Sequence, residues 1–401
     1  MFNQQTSHRR RPHGIRYHYW DSYLLIPYLL LCVFGIVMVY SSSAAINMQN
    51  GGSATGYLLK QLLFVIIGFA AMLTTAMVPL EKFRTPRFLS ISTIVIIGML
   101  AFVKVFGAAV NGAQGWLRLG MFSLQPAELC KLYLIIYLAD RFDRYGQRGM
   151  TLSQDWQQMM PPFIIAIICL FLIFIQPDFG GMVINLAIVA VIVLASEIPY
   201  KRSIGGLAIV GVVGYFFLYK IGSMHLIHGY KAARFVAFTD PFGTARGAGS
   251  QLVNSYYAIS NGGVFGVGLG NSIQKMGYLP EPNTDFIMAV TAEELGLVGV
   301  SAILILLAIL ICRIVWLGVR ADSMYTALIC YGAAAFMTVE ASFNIGGVVG
   351  VLPITGVTFP FVSYGGSSML VLSLTLGLVV QISSREKRTR LLAKAPVHSV
   401  S

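Results

Sequence analysis

The sequence predicts an all-α polytopic membrane protein of about ten transmembrane helices, with a large extracellular loop between spans seven and eight. Three observations lead to that class. Of the 401 residues, 56% are hydrophobic and only 11% are charged, against about 25% charged in an ordinary soluble domain. The mean hydropathy of +0.74 applies to the whole chain, so the apolar residues form many spans and not one anchor on a soluble body. The apolar runs are continuous and lack the alternation of a membrane barrel, which leaves helices as the spanning element.

In chain order, a basic tail over residues 1–22 precedes the first run. The runs are then roughly Tyr23 to Ser43, Tyr57 to Val78, Phe88 to Phe106, Pro126 to Leu138, Pro161 to Ile175, Phe179 to Ala195, Ile204 to Tyr219, Phe286 to Ile311, Tyr325 to Val349 and Thr358 to Ile382. Most have the ~17–25 residues that a hydrocarbon layer about 30 Å thick demands of a helix; the fourth and fifth are shorter. Residues 23–382 thus read as one membrane domain, and a second basic tail covers 383–401. No linker or second domain interrupts it.

The joints alternate in charge. Arg9, Arg10, Arg11 and Arg16 precede the first span, Lys82, Arg84 and Arg87 follow the second, and Arg141, Arg144 and Arg148 follow the fourth. Lys201 and Arg202 follow the sixth, Arg313 and Arg320 close the eighth, and Arg385, Lys387, Arg388, Arg390 and Lys394 follow the tenth. Ala44 to Gly56 and Gly350 to Val357 carry no cation. Positive loops stay on the cytoplasmic side, so both termini are expected there. The net charge of +12 is then an orientation signal and a contact for anionic lipid, not a nucleic-acid surface. Basic residues ahead of a run ending at Ser41 to Ala45 also fit a cleavable signal peptide. That run is longer than a usual h-region, and removing it would upset the alternation.

Several chemistries are excluded. No G-x-x-x-x-G-K-[ST] occurs, so no P-loop drives an ATP pump. The histidines, His8, His13, His18, His225, His228 and His398, all lie outside the spans, which argues against membrane haem. Cys32, Cys130, Cys169, Cys312 and Cys330 form no C-x-x-C pair and read as inert thiols.

Polar residues inside lipid are costly and therefore candidates for function. Glu128 and Lys131 stand three apart on the short fourth span, on one helical face; an ion pair that merely orients the helix explains them as well as chemistry does. Asp178, in Gln176-Pro-Asp-Phe-Gly180, fits either a site or a turn cap. Glu340 in the ninth span reads as a buried, hydrogen-bonded carboxyl. The outer joint from Ile221 to Thr284 is too long and too patterned for an idle connection. Its cations Arg234, Arg246 and Lys275 and carboxylate Glu281, with Asp285 just beyond its end, suit a substrate that carries phosphate and a hydroxyl to be deprotonated. Asn283-Thr-Asp285 ahead of an apolar run also reads as a helix N-cap.

Four segments, Phe122-Ser-Leu-Gln-Pro-Ala-Glu-Leu-Cys-Lys131, Gln176 to Gly180, Tyr278 to Phe286 with Glu293-Glu-Leu-Gly296, and Leu352 to Ser368, occur in an order that closely resembles the SEDS family (shape, elongation, division and sporulation) over nearly all the chain. Asn254-Ser-Tyr-Tyr-Ala-Ile and Gly270-Asn-Ser-Ile-Gln-Lys275 look more like its division branch than its elongation branch. The resemblance implies a peptidoglycan glycosyltransferase that polymerises lipid II at the outer membrane face during cell division and releases undecaprenyl pyrophosphate. It puts the family's essential aspartate at Asp285, as general base, and positions needed for activity at Glu128 and Lys131. Asp178 and Arg234 are implied as supporting residues, and Ser363 joins Arg246, Lys275 and Glu281 as a substrate contact. The implied partners are lipid II and its undecaprenyl lipid, a single-span class B penicillin-binding protein and other division proteins. No cofactor is required by any ligand cluster, although a divalent cation, Mg or Mn, suits a leaving pyrophosphate. A lipid II flippase and a non-catalytic scaffold of the division machinery are the alternatives.

Overall fold

The computed structural model describes residues 20–49, 51–110, 113–120, 122–146, 152–196, 204, 236–247 and 249–394. The expected seventh span, apart from Ile204, lies outside the described residues, as do Arg234, His225 and His228. The helices are α1 (Ser22–Gln49), α2 (Gly56–Met77), α3 (Leu80–Phe83), α4 (Pro86–Phe106), α5 (Pro126–Gly146), α6 (Leu152–Ile175) and α7 (Phe179–Ala195), followed by α8 (Ser250–Gly262), α9 (Ile287–Val319), α10 (Met324–Val348) and α11 (Gly366–Lys394). Among the described residues six helices, α1, α2, α4, α9, α10 and α11, are long and apolar enough to cross a membrane, and α6 and α7 carry shorter apolar stretches. The fourth expected span is α5, which runs on past Leu138 to bring Asp140, Asp143 and Arg144 onto the same helix.

The long helices run up and down, which gathers the ends that carry charge. Asp21, at the start of α1, takes Arg313 of α9 at 2.7 Å and Ser383 of α11 at 2.7 Å. Arg84, between α3 and α4, donates to Asp140 at 2.9 Å and to Asp143 at 2.5 Å on α5 and stacks on Tyr325 at the start of α10. These buried acids neutralise the cations that mark this end, so the basic end is also a structural clamp on α1, α5, α9, α10, α11 and the turn between α3 and α4. α5, α10 and α11 form the interior, with Tyr133 to Asp140 buried without interruption. α4, by contrast, points Ile91, Ile94, Phe102 and Val105 outward, as a lipid-facing helix should.

Two features depart from an all-helical reading. Between α4 and α5 the chain forms a three-stranded antiparallel sheet, β1 (Ala108–Val110), β2 (Ala113–Leu119) and β3 (Phe122–Leu124). Its strands are short and lie where the hydropathy falls, so no apolar run announces them. Gly120, at φ 65°, makes the turn between β2 and β3. The tenth expected span, Thr358 to Ile382, is also different. The helix starts only at Gly366, and 351–365 is irregular backbone.

That segment is buried although it is not helical: Phe359, Phe361, Val362 and Ser363 are nearly inaccessible. Pro353, Gly356 and Pro360 deny it a helix, yet its side chains are as apolar as a span, so hydropathy alone reads it as one. It packs along the first half of α1, where Phe361 meets Tyr28 edge-on at 5.1 Å. Gly35 makes the approach possible, since a Cβ there would lie 2.7 Å from the Phe361 carbonyl oxygen and 2.9 Å from that of Val362. Irregular backbone at this depth survives only because protein surrounds it. Gly35→Val therefore forces the segment away from α1 and is expected to cost about 1–3 kcal/mol as overpacking, read as a lower thermal midpoint of the purified protein in detergent.

Candidate functional site

The irregular 351–365 segment organises the polar residues of the interior. On one side stands a buried charge cluster. Pro126 starts α5, and the next turns carry Glu128 and Lys131 on the face that points at α10. The Lys131 ammonium lies 2.5 Å from Glu128 Oε1 and 3.7 Å from Glu340 Oε1 of α10, and rests 4.6 Å above the Phe336 ring. Lys131 and Glu340 are fully buried and Glu128 nearly so. Glu340 Oε1 also accepts from Thr358 and Ser368, each at 3.2 Å. The Glu128–Lys131 pair is thus half of a triad, and Glu340 is the member that ties it to the irregular segment.

Asp178 adjoins this cluster as the N-cap of α7. Its Oδ1 accepts from the Gly181 amide at 2.8 Å and its Oδ2 from Gln125 Nε2 at 2.9 Å. Burial pushes its carboxyl above the ordinary range, outweighing the Gly181 amide, the Lys131 charge and the Gln125 hydrogen bond that favour ionisation. The turn-capping reading of Asp178 is therefore met, and the capping side chain lies beside the Lys131 cluster. The Gln125 amide donates to Ser367, whose hydroxyl donates to the Ser123 carbonyl at 2.7 Å, so the start of α5 is stitched to the start of α11.

Asp285 belongs to the other side of the segment. It lines a small open cleft with Phe343, Asn344, Thr355, Gly356 and Val357. The Asn344 side-chain amide bridges the Asp285 and Val357 carbonyls at 2.9 and 2.8 Å. Ser363 accepts from the Phe359 amide and donates to the Thr284 carbonyl at 2.7 Å, and the Tyr364 amide donates to the Asn283 carbonyl at 2.9 Å. The two motifs, 278–286 and 352–368, are therefore bonded to each other, once through the Ser363 hydroxyl and once from backbone to backbone. Thr355 and Val357 reach from the Asp285 cleft to α7, where a Cβ on Gly180 would meet Val357 at 2.5 Å. The sequence gathers Asp285, Asp178, Ser363 and the Glu128–Lys131 pair around one segment.

The expected capping role of Asp285 is not taken. α9 has Phe286 as its N-cap with no side-chain cap. The chain enters the helix through a turn in which Glu281 takes φ 52° and its carbonyl accepts from the Thr284 and Phe286 amides. Glu281 itself is exposed, and its carboxylate holds the Thr284 hydroxyl at 3.1 Å. Arg246 is exposed in a turn before α8. Lys275 differs from its expectation as a phosphate contact: it is buried, and donates to Glu294 at 2.6 Å and Ser41 at 3.0 Å. Desolvation drives that pairing, since an ammonium buried beside the broken helix α9 needs a carboxylate.

Sequence reading did not place Glu340, Asn344, Thr358 or Ser368 at the site. An intramembrane carboxylate is itself a signal, and for Glu340 only the partner was missing; the other three are ordinary polar residues whose role depends on the irregular segment. Glu128 Oε2, Glu340 Oε2 and Asn344 Oδ1 are buried without a hydrogen-bond donor among the described residues. They leave acceptor capacity on both sides of the segment for hydroxyl groups or water.

A family profile described as Cell cycle protein, covering FtsW, RodA and SpoVE, matches residues 22–388. A probable peptidoglycan glycosyltransferase FtsW of Bacillus subtilis (strain 168) is 37% identical over 370 residues, covering 91% of this chain and 90% of the relative. The stage V sporulation protein E of the same organism is 33% identical over 365 residues, covering 90% of this chain and 96% of the relative. Among solved structures, a chain of a peptidoglycan synthase complex, described as coordinating polymerization and crosslinking, superposes with a TM-score of 0.72 at 25% identity, covering 92% of this chain and 98% of its own. The rod shape determining protein RodA of Thermus thermophilus shares the fold, with a TM-score of 0.66 at 24% identity over 92% of this chain and 98% of its own.

Removing one member of a buried ionic cluster strands the others. Lys131→Met is expected to lower unfolding stability by about 3–5 kcal/mol, and adding Glu128→Gln to it to restore part of that loss; denaturant titration of the two variants in micelles checks both.

Proposed function

The chain belongs to the FtsW/RodA/SpoVE family of cell cycle proteins, and from that premise we propose that it is a peptidoglycan glycosyltransferase of cell division, polymerising lipid II at the outer face of the cytoplasmic membrane. In this reading it crosses the membrane ten times, the seventh time over Ile204 to Tyr219. Both termini lie at the cytoplasmic, basic end, and 221–284 is the large outer loop.

The observation that carries the proposal is the position of Asp285, an acidic residue lining an open cleft whose wall, Thr355 to Val357, continues into the Thr358 that bonds the buried Glu340. Asp285 removes the proton from the acceptor sugar hydroxyl as its oxygen attacks the anomeric carbon of the donor. The carbon–oxygen bond to the pyrophosphate breaks, and undecaprenyl pyrophosphate leaves with the bonding electron pair. Outside the cell no nucleoside triphosphate supplies energy, so the donor must arrive already activated, as a pyrophosphate-linked sugar does. Arg234 and Arg246 are assigned to the phosphates. Lys275, committed to Glu294, is assigned to holding the loop. Glu128, Lys131 and Asp178 position the wall and are not reacting groups.

Among the described residues no three His, Cys, Asp or Glu side chains gather into a set that could hold a metal ion. A divalent cation, Mg or Mn, is assigned in this scheme as a companion of the leaving pyrophosphate, and no step here depends on it. The crosslinking partner is assigned as a single-span class B penicillin-binding protein, consistent with the polymerization and crosslinking complex among the structural neighbours.

Asp285→Asn keeps the size of the side chain and removes the base. It is expected to reduce glycan polymer from lipid II by about 10²–10⁴-fold with an unchanged elution profile and thermal midpoint, while Asp285→Glu retains part of the activity; polymer at the wild-type rate from Asp285→Asn removes the base from the mechanism. Adding the single-span partner to the purified chain is expected to raise the yield of polymer at a fixed lipid II concentration, measured by gel separation of labelled strands.

A further inference from the structure

Helix α9 is broken by Gly296, whose φ of 66° is not helical. A break strands the backbone groups on either side, and here a loop of the outer joint supplies their partners. The Leu297 amide donates to the Gly263 carbonyl at 3.0 Å and the Val298 amide to that of Val264 at 3.1 Å. In the other direction, the Val267 and Gly268 amides donate to the Glu293 and Glu294 carbonyls at 2.9 and 3.0 Å. Gly266 and Gly296, both at positive φ, meet so closely that a Cβ on either would overlap the backbone around the other. The loop is thus built into the helix.

The side chains of this loop face away from the protein. Phe265 is 82% exposed, Val264 and Leu269 54% each, and Val267 42%. They lie beside Leu297 and Val298, 60% and 55% exposed, which begin the outward stripe that α9 continues through Ile305 and Ile309. Depth along α9 can be read from its other end, where Arg313 pairs with Asp21 and stacks on Trp316 at 4.1 Å, an arrangement suited to the membrane interface. Leu297 stands sixteen residues from Arg313, about 24 Å along a helix rising 1.5 Å per residue. That is within a hydrocarbon layer about 30 Å thick.

We propose that residues Gly263 to Leu269 are inserted in the leaflet far from the basic end, with Val264, Phe265, Val267 and Leu269 in contact with lipid acyl chains beside α9. Irregular backbone enters hydrocarbon only with its polar groups satisfied, and the broken turn of α9 supplies partners for the Gly263 and Val264 carbonyls and the Val267 and Gly268 amides. An apolar cluster this exposed calls for a nonpolar occupant, and its continuity with the lipid-facing stripe of α9 selects lipid. The loop then anchors the outer joint at a fixed depth, next to the Lys275–Glu294 pair that closes its far end. The inference does not depend on the proposed reaction.

The test uses the full chain in vesicles of phosphatidylethanolamine and phosphatidylglycerol, with exposed Cys312 replaced by alanine. Phe265→Cys, and separately Val267→Cys, carries an environment-sensitive fluorophore; Ser53→Cys, in the exposed polar turn between α1 and α2, is the aqueous control. The expected result is blue-shifted emission at 265 and 267 and quenching by acyl-chain nitroxide at least about twofold stronger than by a water-soluble nitroxide, with the order reversed at 53. Stronger aqueous quenching at 265 and 267 overturns the proposal. So does acyl-chain quenching that disappears when a single-span protein partner is co-reconstituted, because the face then belongs to that partner.

Discussion

Lys131 sits where water cannot reach it, and its neutralisation is the constraint from which the rest of the interior follows. An ammonium in such a place must have carboxylates at hand, and two supply them from different helices, Glu128 on α5 and Glu340 on α10. Glu340 in turn accepts from Thr358 and Ser368. The segment leading into α11 is therefore fixed by the charge that crosses from α5 to α10. Without that charge the irregular backbone between Val348 and Gly366 would have little polar anchorage on this side.

The same economy operates at the outer joint. A helix broken within the membrane exposes backbone groups that hydrocarbon cannot satisfy. At Gly296 the Gly263–Gly268 loop meets them, and Lys275, Ser41 and Glu294 close the adjoining turn. The chain thereby carries two non-helical insertions, one buried in the bundle and one on its flank, each tied to helices through hydrogen bonds and a buried ion pair. Asp285 lies between them, just before α9 begins, so both insertions constrain the backbone on which the proposed base is carried.

Most of the architecture was legible because lipid imposes length and composition on a span. α2, α4, α7 and α10 begin and end within two residues of the apolar runs. The misreadings share one cause. Hydropathy measures affinity for a nonpolar environment, and buried irregular backbone has the same affinity as a helix; Thr358 to Gly365 was read as a span although Pro360 lies within it and Pro353 and Gly356 just before it. The small sheet was silent for the opposite reason, since short strands at a polar margin have neither helical period nor apolar run.

At the site, the residues that stand out by cost were found and those that stand out only by contact were not. Glu128, Lys131 and Asp178 are conspicuous because charge in an apolar chain is expensive. Asn344 and Ser368 acquire meaning only from neighbours distant in sequence, and Lys275, sited among outer-loop cations, turned out to serve Glu294. The central claim is that this assembly makes glycan. Its most direct measurement follows both products from the purified wild-type chain in vesicles supplied with labelled lipid II. Glycan strands and undecaprenyl pyrophosphate accumulating together are the predicted result, whereas movement of the lipid II headgroup across the bilayer with no polymer would contradict it.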